Sequence, residues 1–209
     1  MPFKGSIDDL RIYRRSLSEQ EVQQLYGAAT LPYHFTLDDP PGAGLEGTAW
    51  FKFANDGAVS DPDALGTCES CPTSGLPGRV NRAVSFAPQI IDGIPSPKGI
   101  RIDQLKLPQS APGFALWVKP KAAGVFFSLY RDSNSTIGSL VYSAEQRFCL
   151  ANSAQNVCSA SPYTPEQWTH VMLTFAGGNM TLHLNNSEQV NLATTAPASA
   201  WAGPPLMGY

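Results

Sequence analysis

Residues 3–26 read FKGSIDDLRIYRRSLSEQEVQQLY, and this stretch decides the fold. From residue 7 to residue 13 apolar and polar side chains alternate, a pattern typical of a half-buried β-strand. Strict alternation predicts that Asp8 shares one face of this strand with Leu10 and Ile12. The opposite face then carries the remaining side chains: Ile7, Asp9, Arg11 and Tyr13. The pattern therefore predicts a buried carboxylate, Asp8, which needs hydrogen-bond partners.

The residues after this strand carry the start and stop signals of a short helix. Ser18 is the predicted N-cap, and Glu21 completes a capping box three residues later. Leu17 is positioned to pack against Val22 across the N-cap, and Gly27 supplies a C-cap. We therefore expect one short helix directly after the strand.

The composition favours one large all-β domain, with neither a nucleic acid partner nor membrane insertion. The chain has 209 residues, and its 18 glycines and 18 prolines separate short apolar runs, as in a protein of many strands joined by turns. Charged residues make up 15% and the formal net charge is −3, so no basic surface is predicted for nucleic acid. No run approaches the roughly 18 consecutive apolar residues of a membrane-spanning helix, and no apolar leader follows Met1.

Further strands are predicted wherever apolar and β-branched residues form short runs between turn signals. They cover residues 33–37, 49–53, 83–86, 99–102, 114–118, 125–130, 139–143, 147–150, 168–175 and 180–184. Gly177 and Gly178 separate the last two runs, which predicts a β-hairpin.

Four segments in a fixed order resemble those of laminin G-like, or concanavalin A-like, domains. One is the opening stretch, and the others are GRVNRAVSF at 78–86, FALWVKP at 114–120 and WTHVMLTFAGGNMTLHLNN at 168–186. The resemblance implies an all-β, antiparallel jelly-roll sandwich of two sheets with one short helix. The chain differs at Ala87 and Pro88, where many relatives have an Asp-Gly turn, so no metal or ligand role is assigned to that turn.

The resemblance puts the opening stretch at the end of the family's domain, after the segment that ends here with LMGY at residues 206–209. It implies that residues 1–27 are the closing strand and helix of a sandwich, which belongs to this unit, a preceding unit or a neighbouring copy. Residues 28–209 then form a sandwich that lacks this strand. The predicted assembly strand has these contact residues: Phe3, Ile7, Leu10, Ile12 and Tyr13. An uncovered edge would invite aggregation.

Three arrangements would fill the gap, and the sequence leaves all three open. The stretch inserts into another copy and builds a head-to-tail filament, or the chain is a permuted domain that closes itself, or it is a window from a tandem array. Our preferred interpretation is an extracellular or cell-surface structural and adhesive module, one unit of a repetitive surface protein or filament. Its partners would be other copies or adjacent repeats. A carbohydrate-binding, lectin-like module with glycan partners is the alternative.

The carbohydrate-binding alternative rests on aromatic side chains on which sugar rings stack. The sequence offers four candidates: Trp50, Tyr163, Trp201 and Tyr209. The competing interpretation of each is packing in the core or at a sheet edge. No pair of carboxylates is spaced as glycoside hydrolysis requires, and no nucleophile elbow is present, so we predict no catalytic residues and no enzyme activity.

Structural calcium is a further hypothesis, because laminin G-like domains often bind it through carboxylate and amide oxygens. The candidate ligands are Asp8, Asp38, Asp39, Asn55 and Asp56. The competing interpretation of Asp8 is a carboxylate that accepts backbone N–H bonds at a sheet corner. The other four stand in predicted turns, which favour Asp and Asn whether or not a metal is bound.

Four cysteines predict two local disulfides and hence an oxidising, extracellular compartment. Cys68 and Cys71 are separated by two residues, while Cys149 and Cys158 flank a polar, turn-prone stretch that would bring them opposite each other in a hairpin. A zinc site would need a second pair with the spacing of the first. A redox-active pair would need a βαβ context, which the sequence lacks.

Overall fold

The computed structural model describes residues 2–13, 33–35, 65–67, 72–91, 94–96, 98–103, 113–132, 135–176, 178–185, 187–193 and 206–207. These residues form strands and their connections, and none of them is helical. The predicted helix and the predicted strand at 49–53 lie outside the described residues, so both stay predictions.

The strands are, in chain order, β1 (Lys4–Tyr13), β2 (Tyr33–Phe35), β3 (Leu65–Thr67), β4 (Thr73–Pro77), β5 (Arg82–Phe86), β6 (Gln89–Ile91), β7 (Ile94–Ser96), β8 (Ile100–Asp103), β9 (Gly113–Ala122), β10 (Gly124–Asp132), β11 (Ser135–Tyr142), β12 (Phe148–Ala151), β13 (Asn156–Cys158), β14 (Thr169–Ala176), β15 (Asn179–Leu184), β16 (Glu188–Ala193) and β17 (Leu206–Met207). Every predicted strand that falls on described residues is present, with shifted boundaries. The sequence patterns did not predict β3, β4, β6, β7, β13, β16 and β17.

Most of the strands form two large antiparallel sheets. The eight-stranded sheet has the order β16-β15-β14-β9-β1-β5-β4, with β2 also paired to β1. The seven-stranded sheet has the order β13-β12-β11-β10-β17-β8-β3, and β6 and β7 form a separate hairpin. The predicted all-β sandwich of two antiparallel sheets is confirmed.

The hydrophobic core lies between the two large sheets, because each strand turns alternate side chains inward. In β9 the inward residues are Phe114, Leu116 and Val118, and all three are fully buried. Aromatic rings meet across the core: the ring of Phe114 lies 5.3 Å from that of Phe127 in the opposite sheet. The side chains between these inward positions in β9 therefore lie on the outward face of the eight-stranded sheet.

Strand β1 lies in the middle of the eight-stranded sheet. It pairs with β9 along its length, from Lys4 opposite Ala122 to Tyr13 opposite Gly113. Its other edge pairs with β5 at residues 5–7 and with β2 at residues 10–12. In this structure the opening stretch therefore closes the sandwich of its own chain.

A β-bulge in β1 makes the predicted assignment of its two faces wrong. Asp8 is opposite Trp117 and Arg11 is opposite Ala115, so β1 has one more residue than β9 between these two pairs. Asp9 accommodates the extra residue with a positive φ of 52°. Strict alternation holds on either side of the bulge but not across it.

The core and outward residues of β1 follow from this bulge. Ile7 and Leu10 both lie in the core, although alternation assigns them to opposite faces. Asp8 lies on the outward face with Trp117, and not with Leu10. Tyr13 is also outward, opposite Gly113, while the backbone of Ile12 pairs with Phe114.

Phe3 anchors the start of β1 in the core. Its side chain is 1% exposed, and its ring lies 6.1 Å from that of Phe86 in one sheet and 5.8 Å from that of Phe126 in the other. Two glycines leave room for it. A Cβ at Gly5 would stand 2.5 Å from Phe3 Cζ, and one at Gly124 would stand 2.5 Å from Phe3 Cα. Phe3 therefore holds the N-terminal strand against both sheets.

Replacing this anchor tests the position of β1. We expect Phe3→Ala to lower the free energy of unfolding by about 3–5 kcal/mol, because it leaves a cavity between the sheets. Val80→Ala, which shortens a side chain that is 42% exposed, serves as the control and should change the free energy by less than about 0.5 kcal/mol. The measurement is urea unfolding of both variants. Equal, small effects would contradict the buried position of Phe3.

Candidate functional site

The outward face of the eight-stranded sheet brings polar and aromatic side chains together. The strand register puts Asp8 of β1, Trp117 of β9 and His170 of β14 in one row across the sheet. Arg79, in the turn between β4 and β5, reaches over Trp117. We call the following residues the outer-face cluster: Asp8, Asp9, Arg11, Tyr13, Arg79, Trp117 and His170.

Small residues of β9 leave room for the side chains that β1 supplies to this cluster. Ala115 is opposite Arg11, and Gly113 is opposite Tyr13. The Arg11 guanidinium forms a 3.0 Å ion pair with the carboxylate of Asp9. The extra residue of the bulge, Asp9, contributes one partner of this pair, and Arg11, the first paired residue after the bulge, contributes the other.

Trp117 is the aromatic centre of the cluster. Its ring lies 5.0 Å from the imidazole of His170, at an interplanar angle of 56°. The guanidinium carbon of Arg79 stands 5.0 Å from the centre of the indole ring, within the range of a cation–π interaction. Trp117 is only half-buried, whereas His170 is 8% exposed. The indole therefore forms the accessible part of the aromatic pair.

Asp8 attaches the β4–β5 turn to β1. Its Oδ2 atom accepts hydrogen bonds from the backbone N–H groups of Arg79 and Val80, each at 2.7 Å. A Cβ at Gly78 would stand 2.6 Å from the same oxygen, so a residue without a side chain is needed there. Of the two interpretations that the sequence left open for Asp8, these contacts match the carboxylate that accepts backbone N–H bonds, and the predicted face is wrong. These bonds also position the Arg79 backbone above the sheet.

Burial shifts the pKa values of two members of the cluster. It lowers the pKa of His170 to about 4, and the nearby positive charge of Arg11 lowers it further, while Asp9 acts in the opposite direction. Burial raises the pKa of Tyr13 to about 12, and the guanidinium of Arg11 opposes this rise. At neutral pH both side chains are uncharged hydrogen-bonding groups beside one ion pair.

Sequence reasoning did not find Trp117, because the segment that contains it served only as part of the family resemblance and the tryptophan was given no role in a site. The signal was available in β9. Phe114, Leu116 and Val118 occupy every second position of β9 and share one face of the strand. Trp117 and Lys119 therefore share the opposite face. A lysine on the same face as the tryptophan indicates that this face is turned away from the core. Arg79 carried no such signal, because its position depends on the turn that Asp8 holds.

One of the four predicted stacking residues, Tyr163, lies among the described residues. Tyr163 packs at the edge of the core, with its ring 5.2 Å from that of Phe148, and its backbone oxygen accepts a 2.6 Å hydrogen bond from the Tyr142 hydroxyl. Its contacts are those of edge packing. The other three lie outside the described residues: Trp50, Trp201 and Tyr209.

The calcium hypothesis stays a prediction. Of its candidate ligands, Asp8 bonds to the backbone as described above, and the other four lie outside the described residues: Asp38, Asp39, Asn55 and Asp56. Within the part of the chain that the structure describes, no cluster of three His, Cys, Asp or Glu side chains could hold a metal ion.

One of the two predicted disulfides is confirmed. Cys149 and Cys158 stand directly opposite each other in the β12–β13 hairpin and are joined by an S–S bond of 2.04 Å. This bond links the outermost pair of strands at one edge of the seven-stranded sheet. Cys68 and Cys71 lie outside the described residues, so their pairing stays a prediction.

The two packed antiparallel sheets and the disulfide-linked hairpin define an all-β sandwich protein. The chain belongs to the concanavalin A-like lectin/glucanases superfamily, because the laminin G-like model of that family matches residues 97–209, more than half of the chain. The predicted family is thereby confirmed. Laminin G-like domains and disulfides are typical of extracellular proteins.

Among solved structures, the alginate lyase AlgAT5 from polysaccharide lyase family 7 is similar, with a TM-score of 0.38 and 10% sequence identity, over 72% of this chain and 68% of the lyase chain. No curated protein sequence matches the chain. No helix among the described residues is long and apolar enough to cross a membrane.

Burial of His170 predicts a loss of stability in mild acid. Its pKa is about 4 in the folded chain and about 6.5 in the unfolded chain, so between these values only the unfolded chain takes up the proton. The free energy of unfolding should therefore fall as the pH decreases from about 6.5 to about 4, by roughly 3 kcal/mol for this group. The measurement is urea unfolding across this pH range.

Two variants separate this effect from other titrations in the same pH range. His170→Gln should remove this part of the pH dependence, while His183→Gln, a change to the half-buried histidine of β15, should retain it. A pH dependence that is the same in wild type and His170→Gln would contradict the buried, neutral state of His170.

Proposed function

We propose that this chain is a non-catalytic, extracellular adhesive module that binds saccharides on the outward face of its eight-stranded sheet. The observation that carries the proposal is the half-buried indole of Trp117, flanked by Arg79 at 5.0 Å and by His170 at 5.0 Å. An aromatic surface surrounded by a few fixed polar groups is the usual make-up of a small-ligand site. Membership of a lectin and glucanase superfamily favours saccharides as the ligand.

The chemistry of the cluster fits a sugar ring. The apolar side of a pyranose stacks on an indole, while its hydroxyls need donors and acceptors around the ring. His170 is neutral at pH 7 because burial lowers its pKa to about 4, so an uncharged polar ring lies beside the indole. Arg79 offers the several donors of its exposed guanidinium.

The charges favour a saccharide that carries acidic groups. Asp8 and Asp9 are engaged by backbone N–H groups and by Arg11, respectively. Lys119 follows Trp117 by two residues and shares its face, and no ion pair within the described residues involves Lys119 or Arg79. Arg79 is exposed and Lys119 is half-buried, whereas the Asp8 carboxylate is fully buried, so the accessible charges beside the indole are positive and suit a carboxylate or sulfate on the sugar.

The same carboxylates argue for binding and against hydrolysis. Glycoside hydrolysis needs two carboxyl groups about 5–9.5 Å apart, one of which serves as an acid and the other as a base or nucleophile. In the cluster, Asp8 holds the β4–β5 turn and Asp9 holds Arg11. Neither carboxylate is available to a substrate without the loss of a structural contact.

A glycan array that contains neutral, carboxylated and sulfated saccharides tests this function. We expect wild type to bind acidic glycans, and Trp117→Ala to weaken binding by about tenfold because stacking is lost. Arg79→Ala should weaken binding to acidic glycans by about tenfold and to neutral ones much less. Arg101→Ala is the matched control, since Arg101 is exposed on β8 of the other sheet, and it should change nothing.

Two results would contradict the saccharide proposal. The first is a wild-type array without signal for any glycan. The second is binding that is equal in wild type and Trp117→Ala.

Assembly by strand complementation is the second candidate function, and one observation favours it. The middle of the eight-stranded sheet is occupied by β1, a strand that begins at Lys4 and is covered along both edges. The same strand donated to another copy would make every one of these contacts between molecules. Repeated donation gives an open, head-to-tail filament of a repetitive surface protein.

The mass of the chain in solution tests strand complementation. We expect assemblies that grow as the protein concentration rises and that are absent after deletion of residues 1–27. The measurement is light scattering coupled to size-exclusion chromatography over a concentration series. A wild-type chain that stays a monomer at every concentration would refute the filament.

A further inference from the structure

Two asparagines at the ends of β15 stand in the acceptor motif of N-linked glycosylation, Asn-x-Ser/Thr. Residues 179–181 read NMT, and residues 185–187 read NNS. A third motif begins at Asn134, which lies outside the described residues. The motif is necessary but not sufficient, because a glycan is bulky and needs an asparagine at the surface with space around it. The structure supplies this information for the first two motifs.

Asn179 is exposed, and its side chain points away from the core. It is the first residue of β15, in which Met180 and Leu182 are fully buried between the sheets, so alternation turns Asn179 outward. Its neighbours across the adjacent strands are Ala176 of β14 and Ala193 of β16, and both are exposed. Each of these neighbours ends in a single methyl group, which leaves space for a large group on Asn179.

Asn185 is exposed in the turn between β15 and β16. Its backbone has a positive φ of 48°, and its N–H group donates a 2.9 Å hydrogen bond to the carbonyl oxygen of His170. Its side-chain Oδ1 atom accepts a 3.0 Å hydrogen bond from the backbone N–H of the same histidine. An amide carries its oxygen and its nitrogen on opposite sides of one carbon. Asn185 Nδ2 is therefore turned away from this bond.

The chemistry of glycan transfer is compatible with the contact between Asn185 and His170. The oligosaccharide comes from a lipid-linked pyrophosphate donor: the bond from sugar C1 to the pyrophosphate oxygen breaks, a bond from C1 to Nδ2 forms, and the amide nitrogen gives up one proton. The lipid pyrophosphate is the leaving group. The product is still an amide with its carbonyl oxygen, so Asn185 Oδ1 can keep its hydrogen bond from His170.

The disulfide is an independent indication of the compartment in which this transfer takes place. Cys149 and Cys158 are joined in the β12–β13 hairpin, and such bonds form in oxidising compartments such as the lumen of the secretory pathway. N-linked glycans are a feature of secreted proteins, where they stand on surface loops. A chain that acquires this disulfide there is exposed to the glycan donor as well.

We propose that Asn179 and Asn185 are acceptors for N-linked glycans. They are six residues apart along β15, or about 20 Å at the rise of a strand, so one chain has room for both glycans. The glycan on Asn185 borders the outer-face cluster, because Asn185 is bonded to the backbone of His170. The proposal rests on the extracellular location proposed above and is independent of saccharide binding.

The mass of the secreted chain tests the proposal. The full chain is secreted from animal cells behind a cleavable leader, with Asn134→Gln in every sample so that the third motif contributes no glycan. Peptide N-glycosidase hydrolyses the glycan from Nδ2 and leaves aspartate. We expect this treatment to remove two glycans per chain, and we expect the digested peptides to contain aspartate at positions 179 and 185.

Substitutions assign each glycan to its position. Asn179→Gln and Ser187→Ala should each remove one glycan, and their combination should remove both. Ser187→Ala abolishes the second motif but keeps Asn185 and its bond to His170. Ser187→Thr retains the motif and is the matched control, which should carry both glycans. Asn191→Gln, at an exposed asparagine of β16 outside any such motif, should also carry both.

Three results would overturn the proposal in whole or in part. A secreted, disulfide-bonded chain whose mass does not change on glycosidase treatment would refute both acceptor sites. Glycosidase-sensitive mass that persists in the combined variant would place the glycans elsewhere. A chain with a single glycan would refute the site whose substitution leaves the mass unchanged. Because the experiment itself secretes the chain, each of these results concerns the acceptor sites and not the natural location of the protein.

Discussion

The pairing of β1 with strands on both of its edges is the constraint on which the rest of the structure depends. Through it, the first residues of the chain become the centre of the eight-stranded sheet. Phe3 then packs against Phe86 and Phe126 and so ties the two sheets together. This arrangement requires glycine at positions 5 and 124, because neither position has room for a side chain.

The outer-face cluster is a consequence of the same strand. The bulge at Asp9 lets β1 insert Ile7 and Leu10 into the core while Asp8 and Arg11 remain on the outward face. Asp8 holds the β4–β5 turn by two backbone hydrogen bonds, and that turn carries Arg79 to the indole of Trp117. The core and the candidate site thus share one strand, so a chain that lost β1 would lose both. This dependence connects the proposed binding function to the proposed mode of assembly.

Sequence patterns predicted the fold well and the site only in part. The apolar run of β9, the alternation in β15 and the double glycine between β14 and β15 were sufficient for strands and a hairpin, because these features depend on neighbouring residues alone. The Cys149–Cys158 bond was predictable for the same reason. The faces of β1 were not, since a bulge leaves no trace in alternation until the partner strand is known. The sequence indicated that Trp117 faces outward, because Trp117 and Lys119 share one face of β9. It did not indicate that His170 and Arg79 are the neighbours of Trp117.

The sequence by itself determined that this chain consists of many short β-strands joined by turns, and the resemblance of four of its segments indicated an antiparallel sandwich of the laminin G-like type. Apolar runs and alternation determine where strands form, because they specify which side chains leave water whatever the partner strand is. Only the tertiary structure decided that β1 lies between β9 and β5 and that Trp117, His170 and Arg79 converge. These features join residues far apart in the chain, and such contacts depend on strand register, which no local pattern contains.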